Sequence, residues 1–285
     1  RYIYAKTVER VGDRRYLEMW GKDVANVSAR IETHIQEALT RPGDFGDRVR
    51  KEFSQFVEAL HAIINPSVTE DDARALLVQH IVTKPIFDAL FGEYTFLKEN
   101  PVAQGLDQIA SLFESFIAKE TRTLESFYRQ VRGRAHGIDK ETERQDFLRQ
   151  LYDTFFNVAF PKTAERLGIA YTPVEVVDFL VRSADVLLQQ EFQTTLASDG
   201  IVILEPFAGT GTFVVRLMQH LQPDALVRKY HNGEIWANEI LLLPYYITLA
   251  NIESTYYEMT GRHEPFPNLL LVDSFQLMEN KGKVQ

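Results

Sequence analysis

The segment EPFAGTGT, from Glu205 to Thr212, constrains the fold of this chain more than any other feature. It follows the apolar run 201–204, which is typical of a buried parallel strand, and precedes an amphipathic helical pattern over 213–221. Its glycines let the backbone turn tightly, and the helix after it begins with free N–H groups. A strand, a glycine-containing loop and a helix in this order predict an α/β fold.

The same alternation of strands and helices continues on both sides of this loop. Further strands are predicted at 234–237 and 269–272, with a helix over 245–259 between them. An amphipathic helix over 174–188 precedes the loop. The pattern predicts a parallel sheet flanked by helices, which occupies a domain over residues 166–285.

Residues 1–165 are expected to form a helical bundle, because apolar residues recur there three and four positions apart. Pro42-Gly43-Asp44 separates the first two helices, and Asn65-Pro66 ends the second. A last helix is predicted over 142–160, before Pro161. The apolar stripes behind this prediction are Trp20, Val24, Val27, Ile31 and Ile35; Phe45, Val49, Phe53, Phe56, Val57 and Leu60; Leu106, Ile109, Phe113, Phe116 and Ile117; and Leu124, Phe127, Tyr128 and Val131.

Two shorter helices are predicted between these stripes. Thr69 is expected to cap a helix that runs through His80, because Asp72 stands three residues after it. Pro85 is expected in the first turn of a separate helix that ends near Phe91, since proline fits a first turn and disrupts a helix interior.

Composition excludes several kinds of site and partner. The absence of cysteine excludes disulfides, thiolate metal ligands and cysteine nucleophiles, and the seven histidines show no metal-ligand spacing, so no metal site is predicted. Acidic residues outnumber basic ones by 40 to 31, so any contact with DNA needs a local basic surface or another part of a larger protein. No apolar run approaches the ~20 residues of a membrane span, which favours a cytoplasmic protein without a membrane partner.

Polar residues follow each of the three predicted strands, at 205–211, 238–239 and 273–274. Ligands of open α/β sheets bind beyond the carboxyl ends of the strands. The arrangement suits a nucleoside, because Glu239 can accept hydrogen bonds from both ribose hydroxyls and Asp273 can accept one from an exocyclic amine.

The loop departs from the two common phosphate-binding patterns. A dinucleotide fingerprint needs a third glycine where this chain has Val214, and its acidic residue follows after about 20 residues, whereas Glu239 stands 28 residues after Gly211. No Gly-Lys-Ser/Thr follows the loop, so it is not a P-loop. S-adenosylmethionine (AdoMet) has no phosphate and carries a sulfonium cation, whose charge, or that of the α-amino group, Glu205 can balance.

The motifs of this region resemble those of the amino-group DNA methyltransferases. Residues 205–213 are similar to motif I, D-P-x-x-G-[ST]-G, with glutamate in place of aspartate. Residues 237–240 resemble motif II, 271–275 resemble motif III, and 167–173 resemble motif X, which precedes motif I in the gamma-type N6-adenine enzymes. The cofactor-binding residues that the resemblance implies are Tyr171, Thr172, Pro173, Glu205, Pro206, Phe207, Ala208, Gly209, Thr210, Gly211, Phe213, Glu239 and Asp273.

Segments of the first region resemble the part that joins helicase to methylase in type ISP restriction–modification enzymes. They are residues 80–91, 100–102, 124–128 and 155–161. In that family one polypeptide carries a nuclease, a helicase, a helical coupler, an N6-adenine methylase and a target-recognition domain. The resemblance implies a helical coupler-like domain over 1–165, followed by the first half of a Rossmann-like methyltransferase sheet. It also implies double-stranded DNA as partner, with ATP and Mg needed only in the helicase and nuclease parts.

The catalytic motif IV of these enzymes, [DN]-P-P-[YFW], is absent, and only twelve residues follow Asp273. We therefore expect a fragment that binds AdoMet, has no catalytic residue of its own and is inactive alone, a view that the initial Arg1 also favours. In the intact enzyme, the resemblance implies methyl transfer to N6 of a flipped adenine. The alternatives are an inert interaction or coupling module without cofactor, and a nicotinamide-dependent oxidoreductase, which Val214 disfavours.

The expected order of the strands has a consequence for the sheet. In this fold the strand at 201–204 neighbours a fourth strand, which is missing here. Its apolar edge is therefore expected to be unpaired, and such an edge invites association. The prediction is a dimer through this edge or cover from the helical region.

Overall fold

The computed structural model describes the backbone of residues 2–90, 99–135 and 172–275, and the side-chain surroundings of residues 21–88, 99–131, 133 and 172–275. The predicted helix over 142–160, the segment 155–161 and residues 167–171 lie outside the described residues. The chain divides into two compact units. The first contains residues 1–58, 69–93 and 101–169, and the second contains residues 59–68, 94–100 and 170–285.

Helices build the described part of the first unit, as the apolar stripes predict. They are α1 (Tyr2–Thr40), α2 (Asp44–Ile63, whose last turn belongs to the second unit), α3 (Glu70–Leu90), α4 (Pro101–Ser111), α5 (Glu114–Thr123) and α6 (Glu125–Ala135). Helix α1 packs on α3 and α5, and α3 packs on α4 and α6. Among the stripe residues with described side chains, Phe45, Phe56, Ile109 and Phe116 are half-buried and the others are buried.

Helix α3 confirms one predicted boundary and corrects another. Thr69 and Asp72 exchange hydrogen bonds as predicted: the backbone N–H of Asp72 donates to Oγ1 of Thr69, and that of Thr69 donates to Oδ2 of Asp72. The prediction of a helix end at His80 and a new helix at Pro85 is wrong, because α3 continues through Pro85 to Leu90.

The reason for this continuity is the core that α3 shares with its neighbours. The buried apolar side chains in the described part of α3 lie on both sides of the proline, and they are Ala73, Leu77, Val78, Val82, Ile86 and Phe87. Pro85 removes one intrahelical donor and crowds the carbonyl of the preceding turn, and the buried contacts on both sides of it offset this cost. The hydroxyl of Tyr128 also donates to the carbonyl of Val82 at 3.0 Å, which anchors the helix one turn before the proline.

The described part of the second unit contains a three-stranded parallel sheet in the order β1-β2-β3. The strands are β1 (Ile203–Glu205), β2 (Ile235–Glu239) and β3 (Leu269–Leu271), and the helices are α7 (Val174–Phe192), α8 (Thr212–His220), α9 (Pro223–His231) and α10 (Leu242–Thr260). The predicted parallel sheet is thereby confirmed, with boundaries shifted by a few residues. Helix α9 was not predicted, although Pro223 stands at its start and basic residues occupy its last turn.

Two features of the second unit position the strand ends. Helix α10 is buried almost continuously from Leu242 to Tyr256 and packs on β2, β3 and α8. Strand β1 pairs only with β2 among the described strands, and Val202 and Leu204, two residues apart in this segment, are 63% and 55% exposed. In the part of the chain that the structure describes, no helix combines the length and apolarity that a membrane crossing requires.

Candidate functional site

The carboxyl ends of the three strands meet in one hydrogen-bonded cluster. The backbone N–H of Ala208, after β1, donates to the carbonyl of Asn238 in β2 at 2.8 Å. The hydroxyl of Ser274, after β3, donates to the carbonyl of Pro206 at 2.5 Å and accepts from Nδ2 of Asn238 at 3.2 Å. The structure therefore brings together the three polar strand ends that the sequence predicted.

Helix α10 holds the glycine loop in place. The hydroxyl of Thr248 donates to the carbonyl of Gly209 at 2.8 Å, and Nδ2 of Asn251 donates to the carbonyl of Thr210 at 2.9 Å. Gly211 has a φ of 82°, and a Cβ atom there would lie only 3.1 Å from Cγ2 of Thr248. Gly209 has a φ of 57° with no atom within 4 Å of a Cβ position, so the loop is open on that side.

Glu239 lies at the end of β2 and supports this loop. Its Oε2 accepts the backbone N–H of Gly209 at 2.8 Å, and its Oε1 accepts those of Ile240 and Leu241 at 2.9 and 2.8 Å. The side chain is only 8% exposed, and burial raises the pKa of its carboxyl above the ordinary value. Three of the roughly four acceptor positions of a carboxylate are therefore used within the chain, and about one remains.

Glu205 ends β1 and forms an acidic pair with Glu239. Burial raises the pKa of the Glu205 carboxyl, and the negative charge of Glu205 is one of the causes that raise the pKa of Glu239. Its Oε1 accepts the N–H of Phe207 at 3.1 Å. Two desolvated carboxyls thus stand at neighbouring strand ends, where a cationic ligand group would favour their charged form.

Asp273 follows β3, and its carboxylate is partly occupied by neighbouring groups. Its Oδ2 accepts Nδ2 of Asn65 at 2.8 Å, and its Oδ1 accepts the N–H of Phe275 at 3.0 Å. About two acceptor positions remain for a ligand. Asp273 is thus placed at the strand ends as predicted, with a partner, Asn65, that the sequence did not suggest.

Aromatic side chains lie beside the strand ends. The rings of Phe207 and Phe275 are 5.4 Å apart between centroids, and both side chains are largely exposed. Phe213, in the first turn of α8, instead lines a cavity of about 270 Å³ with Glu205 and mostly apolar residues of α7, α8 and the first two strands, and this cavity does not include the glycine loop, Glu239 or Asp273. Exposed aromatic rings therefore stand beside the carboxylates of the strand ends.

Helix α7 is fastened to α8 by charged pairs. Arg216 donates to Asp178 through Nε and Nη2, at 2.5 and 2.6 Å, and His220 lies 2.9 Å from Asp185. Thr172 and Pro173 precede this helix and are exposed, and among the described residues neither makes a hydrogen bond to the glycine loop. Tyr171 lies outside the described residues. The hydrogen bonds of the site thus join the loop and strand-end residues, and neither Thr172 nor Pro173 takes part in them.

Four residues of the site escaped the sequence prediction. Thr248 and Asn251 lie in the middle of α10 and carry no motif, although polar residues in an otherwise buried helix are a usable signal. Asn65 appeared only as a helix end, and Phe275 only as part of motif III. Among the residues that the structure describes, no group of three or more histidine or acidic side chains could hold a metal ion.

Comparison with known proteins shows that part of the chain is similar to a known domain family. Residues 16–143 match the family model "Type ISP restriction-modification enzyme, coupler domain". A comparison with curated proteins finds no match.

Solved structures similar to most or all of the chain include two Type ISP enzymes and one further protein–DNA complex. A nuclease-deletion mutant of the Type ISP restriction-modification enzyme LlaGI, in complex with a DNA substrate mimic, is 41% identical with a TM-score of 0.86, over 100% of this chain and 23% of that one. The ATP-dependent Type ISP enzyme LlaBIII bound to DNA is 44% identical with a TM-score of 0.87, over 99% and 19%. A DrdV–DNA complex is 36% identical with a TM-score of 0.78, over 93% and 26%.

The chain thus spans about a fifth to a quarter of the length of these structures. The predicted coupler is supported over the matched span. Residues 16–143 are similar to the coupler domain of Type ISP restriction-modification enzymes.

Proposed function

We propose that the second unit binds AdoMet and forms the cofactor-binding half of an N6-adenine DNA methyltransferase. The observation that carries the proposal is the acidic pair, Glu205 and Glu239, beside an open glycine loop. The sulfonium and α-amino groups of AdoMet are cations, and a cation beside these two desolvated carboxyls favours their charged form.

The described residues fit this ligand in distinct roles. Glu239 retains about one acceptor position for a ribose hydroxyl, and Asp273 retains about two, one of which suits the exocyclic amine of adenine. Glu205 has one hydrogen bond within the chain and offers the rest of its carboxylate to a cation. When bound, AdoMet supplies an electrophilic methyl group.

The chain's own residues supply the cofactor side of the reaction. The groups that bind the target base belong to motif IV, which this sequence lacks. We therefore expect the isolated chain to bind AdoMet without transferring its methyl group to DNA. A radioactive methyl-transfer assay with unmethylated duplex DNA measures this directly.

In the proposed full-length protein, the coupler region links this methylase to a helicase motor. Two structures similar to this chain are Type ISP enzymes solved with DNA or a DNA mimic, and these are much longer than this chain. The proposed partner is accordingly double-stranded DNA, together with helicase and target-recognition domains of the same polypeptide. ATP and Mg act in the helicase and nuclease parts.

The outer side of β1 is proposed as a further point of association. Val202 and Leu204 are exposed there, and α7 exposes Phe179, Leu180 and Leu187. An apolar strand edge of this kind pairs readily with another strand. The proposal predicts a dimer or larger species of the isolated chain in light scattering, and a monomer at all concentrations would contradict it.

Calorimetric titration tests the cofactor proposal. AdoMet is expected to bind saturably and NAD not to bind, because the loop lacks the third glycine of a dinucleotide site. Glu205→Gln is expected to weaken AdoMet binding about tenfold, or about 1.4 kcal/mol, because it removes the charge and keeps the side-chain shape. Glu191→Gln removes an exposed carboxylate of α7 and serves as the matched control.

Titration of S-adenosylhomocysteine, which lacks the sulfonium charge, refines the result. A loss in Glu205→Gln that is confined to AdoMet assigns Glu205 to the sulfonium, and an equal loss for both ligands assigns it to the α-amino group. Absence of AdoMet binding by the parent chain would favour the inert coupling module instead.

A further inference from the structure

The turn between α1 and α2 is held in one conformation by its own contacts. Arg50 donates from Nη1 to the carbonyls of Leu39 and Arg41 at 2.8 and 2.9 Å, which satisfies the end of α1. A Cβ atom at position 46 would lie 1.8 Å from the carbonyl oxygen of Arg41, so Gly46 is required in the first turn of α2. Gly43 has a φ of 91° within the turn. The turn is therefore a rigid platform for the side chains beside it.

Two arginines and two phenylalanines form a cluster on this platform, here termed the turn cluster. The guanidinium carbon of Arg41 lies 5.9 Å from the ring centroid of Phe45 and 5.8 Å from that of Phe116. The guanidinium carbon of Arg48 lies 5.7 Å from the ring of Phe45. The two rings are 5.5 Å apart. Both arginines are exposed and held over aromatic rings, so they are partly ordered before any ligand arrives.

The charge of the turn cluster is not balanced by ion pairs. Neither Arg41 nor Arg48 has an acidic partner within 4 Å in the described ranges, since Asp47 pairs with Arg50 instead. Lys51 and Lys119 are exposed and stand three residues after Arg48 and Phe116, on the same helix faces. The acidic residues within four positions of the two arginines are Glu37, Asp44, Asp47 and Glu52. Glu37 contacts His34 and Asp47 contacts Arg50, so within the described ranges both guanidinium groups of the turn cluster stay available to an anionic ligand.

We propose that the turn cluster of the coupler contacts the phosphodiester backbone of DNA. Guanidinium groups offer planar pairs of N–H donors that match phosphate oxygens. Two such groups, those of Arg41 and Arg48, lie beside the ring of Phe45. A contact to phosphate carries no sequence information, so it suits a coupler that travels with a motor along any sequence. The proposal rests on the proposed function, because it takes DNA as the partner of the intact enzyme.

Fluorescence anisotropy of a labelled DNA duplex tests the proposal on the full 285-residue chain. The parent chain is expected to bind at low salt, with an affinity that falls as salt rises. The double variant Arg41→Gln, Arg48→Gln is expected to bind about tenfold more weakly, and its salt slope is expected to fall by about two units, roughly one for each lost phosphate contact. The variant Arg41→Lys, Arg48→Lys keeps the charges and loses the planar donors, so intermediate affinity is expected.

A matched control removes the same charge from another surface. Arg228→Gln together with Arg262→Gln changes two exposed arginines of the second unit and is expected to leave DNA affinity within about twofold of the parent. Circular dichroism and melting temperature establish whether each variant is folded. If the double variant is unfolded, the single variant Arg48→Gln is used in its place. The proposal is overturned if the parent and the Arg41/Arg48 variant bind DNA equally well. It is also overturned if the control loses as much affinity as that variant, or if the parent does not bind DNA.

The cofactor proposal is tested separately on the same variants. The Arg41/Arg48 variant is expected to bind AdoMet with the parent's affinity, because these residues belong to the first unit. Loss of DNA binding with AdoMet binding intact supports the turn cluster. If the parent chain does not bind AdoMet, the cofactor proposal for the strand ends fails, and the DNA experiment still tests the turn cluster.

Discussion

Asn65 donates a hydrogen bond from Nδ2 to Oδ2 of Asp273 over 2.8 Å, although 208 residues separate them in the chain. The backbone N–H of Asp273 also donates to the carbonyl of Ile64, at 3.3 Å. The segment after α2 therefore belongs to the same unit as the strand ends. It orients one of the carboxylates that we assign to the cofactor.

Removal of this hydrogen bond is expected to weaken both folding and ligand binding. Asn65→Ala should lower the free energy of unfolding by about 1–2 kcal/mol, since it leaves a partly buried carboxylate without its donor. Asn65→Asp should cost more at neutral pH, because it places a second carboxylate beside Asp273. Urea denaturation measures the loss of stability, and calorimetric titration with AdoMet measures the loss of affinity. Gln55→Ala, an exposed change on α2, is the control, and equal stability of all three variants would contradict the prediction.

Gly211 is expected to tolerate substitution less well than other glycines. Gly211→Ala combines a positive φ with a close contact to Thr248, so a loss of at least about 1 kcal/mol of stability and of AdoMet affinity is expected. Gly209→Ala has a positive φ but open space, so its cost should be smaller. Gly133→Ala, in α6 with open space around it, should stabilise by about 0.5–1 kcal/mol. Thermal denaturation ranks the three, and any other order would contradict the geometry.

The buried Lys229 holds the segment before β1 by hydrogen bonds. Nζ of Lys229 donates to the carbonyls of Ser198 and Ile201 at 2.8 Å each and to Oε2 of Glu234 at 2.9 Å. The Lys229→Met variant loses all three bonds and is expected to lose about 3 kcal/mol of stability. The double variant Lys229→Met, Glu234→Leu should recover part of this loss, because no carboxylate is then left without its partner. Chemical denaturation checks both, and a double variant less stable than the single one would refute the explanation.

Glu253 makes the stability of the second unit depend on pH. Burial raises the pKa of its carboxyl to about 7 from 4.5, and its Oε1 accepts the N–H of Phe266 at 2.9 Å. A folded-state pKa above the unfolded value means that the folded chain holds the proton more tightly. This contribution to stability is therefore complete below about pH 4.5 and is lost as pH rises towards 7.

The substitution Glu253→Gln isolates this effect. The variant should be more stable than the parent at pH 8, by up to about 3 kcal/mol, and should show a weaker pH dependence between pH 5 and 8, since the amide carries no charge. Denaturation curves across this range provide the measurement, with Glu191→Gln as an exposed control. Parallel pH profiles of parent and Glu253→Gln would show that this carboxyl is not responsible.

Local sequence patterns determined most of the described helices and all three described strands. Apolar spacing of three and four predicted the helices of the first unit, the reciprocal Thr69–Asp72 cap predicted the start of α3, and short apolar runs predicted the three parallel strands. These features could be predicted because helices, caps and strands depend on residues close together in the chain. The residues at the strand ends could be predicted too, since the carboxyl ends of parallel strands share one edge of the sheet.

Tertiary structure decided the features that depend on distant residues. Pro85 lies inside a continuous helix because buried side chains on both sides of it hold α3 in one core. Glu239 uses most of its acceptors on backbone N–H groups of the glycine loop, and Asn65 orients Asp273. Local periodicity contains no information on such pairs, because which donor meets which carboxylate is set only when elements far apart in the chain pack together.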